Sequence, residues 1–468
     1  MKSKLLIIGL CVGIVSAFIP QSVRCATSIL RHGITWTFAQ DYTCGTYANG
    51  DPWCIGPVTI VAISPASTGA SGRIQHGSML NPASGENGYD ASFGGSYRPE
   101  YKPALNVARP NGNDLSAENP LIVGAGNSLV SSRTHEDANS RPQLVDAAVL
   151  TVVESAPPAG SFRPPYVGSD KGHYWRTADI RWHLLPGLDK TAIDRLPSLD
   201  TLAARIERVW LDPAGGTFIG REFHPSNNMP AYGGRMAVHT SEIALALLLD
   251  YTQAELETLM VRFLQLGIDW YGATHYASCQ FDCSSQGHIW MGGGGHGHGR
   301  KWPILFAGLM FGDSNILAYA DAGDYPIFQE EQQHFYVSQA DVDQPRYTGD
   351  DRPRAPYTSD MIGTAEWGAS HFNQPQRDGS NWDAYYRDIV SPSICGHVLA
   401  AIIMRQQSRW NWPAIFDYQD RWNAYRKSSG MDVGSYDSGF VRDMWDTFRD
   451  RYGCAAASSW MPLLLLSD

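Results

Sequence analysis

The chain has 468 residues, 43% hydrophobic and 18% charged, with a formal net charge of −11. That balance describes an ordered globular protein with a large core, and the length suggests two or three domains. It excludes a disordered chain, and no basic surface dominates of the kind a nucleic-acid partner requires.

The N-terminus has the pattern of a secretory signal, with Lys2 and Lys4 ahead of an apolar stretch at 5–18. The stretch is short for a membrane span, and so is the leucine run at 463–466, so no membrane attachment is expected beyond the signal. Cleavage is expected near Ala17 or near Cys25 and Ala26. Removing residues 1–25 deletes three cations (Lys2, Lys4, Arg24) and no acid, which takes the charge from −11 to about −14.

After the signal the pattern is that of strands. Residues 34–38 alternate, 57–63 form a β-branched run closed by Ser64-Pro65, and Asn49-Gly50-Asp51-Pro52 between them is a turn. Further strands are predicted at 120–123 and 147–153, the first preceded by a long Gly/Asn/Ser/Pro-rich region at 67–119. Pro157, Pro158, Pro164 and Pro165 mark a boundary. From there 3.6-residue periodicity predicts helices over 198–209, 235–249, 253–271, 303–311, 358–371, 382–405, 412–426 and 439–451. Such helices suit antiparallel hairpins. The expected fold class is therefore α+β multidomain: a signal peptide over 1–25, a β-rich N-terminal domain over 26–170 and a helical (α/α) toroid over 171–468.

Beyond the signal six cysteines remain, an even number that favours disulfides in an exported chain. Spacing suggests Cys44–Cys54 and Cys279–Cys283, and elimination leaves Cys395–Cys454. A zinc site on Cys279 and Cys283, with His275 and His288 nearby, is the rival reading.

Fifteen Trp and 22 Tyr supply flat rings with polar edges, which build cores and also line sugar-binding clefts. Against that background residues 292–300 read GGGGHGHGR, with six glycines in nine positions. Glycine lets backbone approach a ligand closely, and His296, His298 and Arg300 suit gripping an anion or moving a proton. Pro303 fits the first turn of the next helix, so the loop is expected to end on a helix N-terminus that favours negative charge.

Three other segments carry chemistry. In the first, Asn227, Asn228, Tyr232 and Arg235 stand in a loop that runs into an apolar helix, on which His239 lies four residues after Arg235 and Glu242 three further on. A core histidine satisfied by Glu242 is the bland alternative there. In the second, Asp269 and Tyr271 lie near a helix C-terminus, with Asp269 expected to orient a neighbouring His or Arg. The third opens a long helix with Asp383, Tyr386 and Arg387, and Trp290 adds a ring just ahead of the glycine loop.

Asn, His, Tyr and Arg with no obvious acid pair match β-elimination of a uronic-acid polymer. The proton at C5 is weakly acidic until the adjacent carboxylate is neutralised, which amides, imidazolium and guanidinium can do. A His or Tyr then takes the proton and a Tyr returns one to the departing O4. No metal or other cofactor is required.

The loop with Asn227-Asn228 followed by an apolar helix bearing His239 resembles the Asn/His arrangement of (α/α)-toroid polysaccharide lyases, the alginate-lyase and chondroitin-lyase groups in particular. The resemblance implies Asn228 (or Asn227) as neutraliser, His239 as base or helper, Tyr386 or Tyr232 as proton carrier and Arg300 as an aid at the carboxylate. It also implies an acidic polysaccharide as substrate, with Tyr232, Arg235, Tyr271, Trp290, His296, His298 and Arg387 as binding residues. A toroid glycoside hydrolase would instead need two carboxyl groups across a cleft, from Asp269, Glu242, Asp313, Glu366 or Asp383. A non-catalytic glycan-binding protein would use the aromatic rings alone.

Overall fold

The computed structural model describes residues 24–67, 69–70, 73–82, 87–91, 101–140, 142–211, 232–276, 290, 294–321, 323, 327–345, 355–369, 371–372, 374–379, 385–430 and 436–453. The β region and the helical region occur in the predicted order.

The first half builds a curled half-barrel sheet from β1 (Arg24–Arg31), β2 (Ile34–Thr46), β3 (Pro52–Ile55), β4 (Val58–Ser64), β7 (Ser78–Leu80), β8 (Leu121–Val123), β9 (Asn127–Thr134) and β10 (Leu144–Val153). The short β5 (Gly69–Ala70) and β6 (Arg73–Ile74) pair separately. The order is β7-β9-β10-β3-β2-β4-β8, with β1 also paired to β2. Pairing is antiparallel except between β3 and β10. β2 begins with strict alternation, placing Ile34, Trp36 and Phe38 inward. β10 is buried on both faces: Ala148, Leu150 and Val152 enter one core, and Leu144, Ala147 and Val149 enter another. The predicted turn at 49–52 joins β2 to β3 and sets Cys44 opposite Cys54, where the expected disulfide forms.

The second half is helical: α1 (Leu199–Arg205), α2 (Gly233–Ala246), α3 (Gln253–Tyr276), α4 (Lys301–Phe311), α5 (Ser314–Tyr319), α6 (Gln329–Gln333), α7 (Gln339–Asp343), α8 (Tyr385–Ser393), α9 (Cys395–Ile403), α10 (Gln407–Trp410), α11 (Pro413–Ser429) and α12 (Gly439–Phe448). The expected (α/α) toroid is overturned. About 12 helices follow a half-barrel sheet in a chain that is 41% helical, and they do not establish such a ring. The physical reason lies in burial. Every residue of α4 from Lys301 to Met310, and every residue of α9, is buried. A helix buried all round lies inside the helical region, and burial alone does not arrange its neighbours into a ring. Apolar spacing reports that a face is covered but not what covers it.

Two helix predictions fail locally. The helix over 358–371 is instead a 3₁₀ turn at Ser359–Met361 and strand β12 (Ala365–Trp367), which pairs with β11 (His334–Tyr336). The helix over 382–405 divides into α8 and α9 at Ile394, just after Pro392.

The proline-rich segment 157–166 straps the halves together. Arg163 within it is 1% exposed; its Nε donates to Asp51 at 2.7 Å and its Nη1 and Nη2 donate to Asp269 at 2.9 and 2.5 Å. Asp51 comes from the β2–β3 turn and Asp269 from α3, so one guanidinium spans sheet and helices. Gln265 adds a reciprocal pair of bonds to the Arg163 backbone. As expected, Asp269 orients an arginine.

Candidate functional site

The glycine loop is built into the interior and is clamped by α6. Glu330 Oε1 accepts the backbone N–H groups of Gly299 at 2.9 Å and Lys301 at 3.2 Å. Gln329 Oε1 accepts Gly297 N–H at 2.6 Å while its amide donates to Gly294 O. Gln333 Oε1 accepts His298 Nε2–H at 2.7 Å and Trp367 Nε1–H at 3.0 Å. Lys301 Nζ donates to Glu331 and to Trp410 O. Two glycines are required by contact. A Cβ on Gly299, whose φ is +83°, would meet Ala237 Cβ at 2.6 Å, and one on Gly233 would lie 1.9 Å from His296 O. The amides that would have greeted an external anion are thus taken by a resident carboxylate.

His298 and Arg300 are part of that interior. His298 is fully buried, and burial, with Arg300 nearby, depresses its imidazole to about 4 although Gln333 favours the charged form. Arg300 is 1% exposed; its guanidinium donates to His298 O and lies over the rings of Trp270 and Trp290 at 4.9 and 5.6 Å. His334 on β11 donates Nδ1–H to Glu330 O, and burial holds it near 3. His397 on α9 is likewise driven to about 3 by burial. Burial raises Glu330 to about 7, reinforced by Glu331.

The accessible chemistry lies on the outer face of α2. Arg235 is exposed and His239, one turn on, is half-buried. Tyr232 caps the helix start, its hydroxyl accepting Gly295 N–H at 2.8 Å and its ring meeting His296 edge-on at 4.8 Å. Tyr436 packs against Tyr232 at 5.9 Å and under Arg235 at 5.4 Å, while Ser438 Oγ donates to Glu242 Oε1 at 2.6 Å. The 436–438 segment therefore meets α2 at its first turn and again near Glu242, with His239 between. Arg205 at the end of α1 forms an ion pair with Glu242 on the other side. Arg205, Arg235, His239, Tyr232, Tyr436 and His296 thus gather on and around the outer face of α2.

His239 is not satisfied by Glu242, whose two oxygens serve Arg205 and Ser438. Its Nδ1 is buried and has no hydrogen-bond partner among the described residues. Burial, with Arg205 facing it, lowers the imidazole to about 3, so the ring is neutral at physiological pH.

The remaining predicted residues fall elsewhere. Arg387 is buried on Glu366, Trp367 O and Gly379 O. Trp290 is buried and donates Nε1–H to Thr274 Oγ1 at 3.0 Å. Tyr271 packs edge-on against Tyr319 at 5.9 Å. Tyr386 falls in α8, with its side chain outside the described set, and Asn227, Asn228 and Asp383 also lie outside the described residues. So do Cys279, Cys283, His288 and Cys454, whereas Cys395 is a buried free thiol beside Asn423, so the Cys395–Cys454 bridge is not formed. The carboxylates proposed for a hydrolase are tied: Asp269 to Arg163, Glu366 to Arg387 and Arg421, and Asp313 to Trp175 and the start of α5. Among the described residues no three His, Cys, Asp or Glu side chains are arranged to hold a metal ion, and no described helix is long and apolar enough to cross a membrane.

Sequence reasoning missed α6, Arg205 and Tyr436. The six-residue run Gln329 to His334 is wholly polar and reads as solvated surface, yet every member is buried. Arg205 and Tyr436 carry no local signal, since only the tertiary fold brings them to α2. No protein-family model, curated protein or solved structure matches the chain.

Proposed function

We propose that the chain is an exported lyase that cleaves a uronic-acid-containing polysaccharide, of alginate or glucuronan type, by β-elimination at the outer face of α2. The observation that carries this reading is His239, a half-buried imidazole that burial keeps neutral, one turn from the exposed Arg235 and with Arg205 nearby. A neutral ring needs no prior deprotonation to act as a base. An incoming carboxylate would favour the charged ring and raise its proton affinity.

In this mechanism the arginines neutralise the carboxylate at C5 and hold the aci-carboxylate that develops. His239 takes the C5 proton, the C5–H pair becomes the C4–C5 double bond, and the C4–O4 bond breaks. Tyr232, fixed by Gly295 N–H, is assigned to protonate O4. Tyr436 and His296 offer ring faces and edges to the sugars. The tied carboxylates favour this chemistry over hydrolysis. Export is supported by the signal pattern and by the Cys44–Cys54 disulfide. Since β1 already includes Arg24, cleavage near Ala17 would leave that strand whole.

The test is incubation of the full mature chain with a panel of uronate polymers while recording ultraviolet absorbance. Growth of an unsaturated-uronate signal is expected on at least one. New reducing ends without that absorbance would mean hydrolysis, and no product on any polymer would remove the enzymatic reading.

A further inference from the structure

Sheet and helices do not close completely on the strap. Between them lies a cleft of about 310 Å³, walled by the β2–β3 turn (Asn49, Asp51), by Arg163, by the segment after α1 (Glu207, Arg208) and by Arg262 on α3. The chain as a whole is acidic, but its seam is not. Among the described residues five guanidiniums (Arg31, Arg133, Arg163, Arg208, Arg262) share four carboxylates (Asp51, Asp146, Glu207, Asp269) in ion pairs there.

Compensation is uneven across the cleft. Buried Arg163 is fully engaged by Asp51 and Asp269. The side chains of Arg208 and Arg262 reach solvent and are engaged less well. Both turn to one carboxylate, Glu207, at 3.4 and 3.5 Å, beyond the length of about 2.7–2.9 Å for a well-made charge-assisted bond. Arg262 makes a single hydrogen bond among the described residues, to Ala203 O at 2.9 Å, and Arg208 gives its Nε to Asp146. Burial holds the Arg262 guanidinium below its ordinary pKa; Glu207 opposes this, and Arg31 and Arg208 add to it. The turn between β1 and β2 borders the same seam. Arg31 before it bonds Asn49 O and Asp51, and a Cβ on Gly33 after it would stand 3.8 Å from Asp146. His32 lies between them, and its buried Nε2 has no partner among the described residues.

We propose that this cleft is a binding site for a phosphate or sulfate group, held by Arg208 and Arg262 with His32 as a third donor. One carboxylate does not satisfy two guanidiniums that come from separate elements, whereas a divalent tetrahedral oxyanion brings more charge and presents oxygens in several directions. The planar donor fork of arginine suits such a group. A neutral imidazole can carry its hydrogen on Nε2 and so donate without being charged. Glu207 is the resident competitor, and its long contacts make it a weak one. The ligand would touch α3, the segment after α1 and the β1–β2 turn, so its binding would tie the sheet to the helices. The site is independent of the chemistry at α2.

The experiment titrates the full mature chain with sodium phosphate by calorimetry, against sodium chloride at matched ionic strength. One phosphate per chain is expected, with no saturable heat from chloride and a higher melting temperature in phosphate. Arg262→Gln should weaken binding about tenfold or more. His32→Asn should weaken it severalfold, since asparagine tolerates the φ of +47° at this turn but does not reach as far. Glu207→Gln should tighten binding severalfold, because the resident competitor is gone. Thermal melts establish that each variant is folded, and the Glu207→Gln result stands as the test if Arg262→Gln does not fold. Glucose 6-phosphate separates two sources of the same group: affinity equal to that of the free ion assigns an ester on a larger molecule, and exclusion assigns the ion itself. Absence of saturable phosphate binding, an Arg262→Gln affinity equal to wild type, or unchanged or weaker binding in Glu207→Gln would overturn the site.

Discussion

Glu330 holds Gly299: one carboxylate oxygen, fully buried, takes the backbone N–H of this glycine at 2.9 Å and that of Lys301 at 3.2 Å. A residue from α6 thereby supplies the acceptor that the loop and the start of α4 would otherwise seek outside. Glu330→Ala should cost about 2–4 kcal/mol, since it strands two buried donors. Glu330→Gln should cost less, because an amide oxygen still accepts. Denaturant unfolding of both variants checks the ranking, and equal losses would mean the oxygen is not what matters.

Gly299→Ala tests the same loop from its other partner. At φ +83° a side chain is strained by roughly 1–2 kcal/mol, and the new Cβ would also press on Ala237 at 2.6 Å. A melting temperature unchanged from wild type would show that the loop can shift to make room.

Removing Arg163 should be severe. Arg163→Met leaves Asp51 and Asp269 buried without their shared cation, a loss of about 3–5 kcal/mol. Adding Asp51→Asn and Asp269→Asn should restore a substantial part, because the stranded charges go too. Chemical denaturation followed by fluorescence and circular dichroism reads both steps.

Stability should fall on the acid side. His298, His334 and His397 have folded-state values of about 4, 3 and 3, below the unfolded value of 6.5. The unfolded chain therefore binds protons first as pH drops below 6.5, and each ring withdraws up to about 1.4 kcal/mol per pH unit until its folded value is reached. Above 6.5 the rings contribute no slope. Glu330 acts in the opposite sense between pH 7 and 4.5, because its folded value of about 7 exceeds its unfolded one. The net slope from pH 6.5 to 4.5 should still favour unfolding, since His239 at about 3 and His32 at about 4 act with these rings, while Glu331 and Asp269, also raised by burial, act with Glu330. Replacing His397 with Phe should flatten that slope, measured as denaturation midpoint against pH; an unaltered slope would count against a buried neutral ring.

His239→Ala is expected to reduce turnover of the cleaved polymer by 10²–10⁴-fold, in the range for loss of a positioned base, with little change in stability. Tyr232→Phe should lower kcat more than it raises KM. Steady-state kinetics beside thermal melts separate these effects from misfolding.

The sequence made much of the scaffold legible. Alternation at 34–38 and the Asn49-Gly50-Asp51-Pro52 turn located β2 and β3. The expected toroid failed because the apolar spacing of α2 and α3 reports burial and carries no ring geometry. The stretch at 358–371 misled, as Ala365–Trp367 pairs with a strand 30 residues away in sequence. Arg235, His239 and Tyr232 were legible as a group because they are neighbours at the start of one helix. Arg300 and His298 looked like ligand-facing groups because exposure cannot be read from a glycine-rich loop. Glu330 was missed for the converse reason, since polar runs look wet.

The strap at 157–166 has a consequence for how this molecule can be divided. Cutting the chain between sheet and helices would leave each fragment with an acid at the new surface that had evolved to meet Arg163. The halves share one electrostatic keystone, so neither is a free-standing module that could be shuffled into another protein unchanged. A fragment of the helices alone would need to keep Arg163 or lose the charge of Asp269.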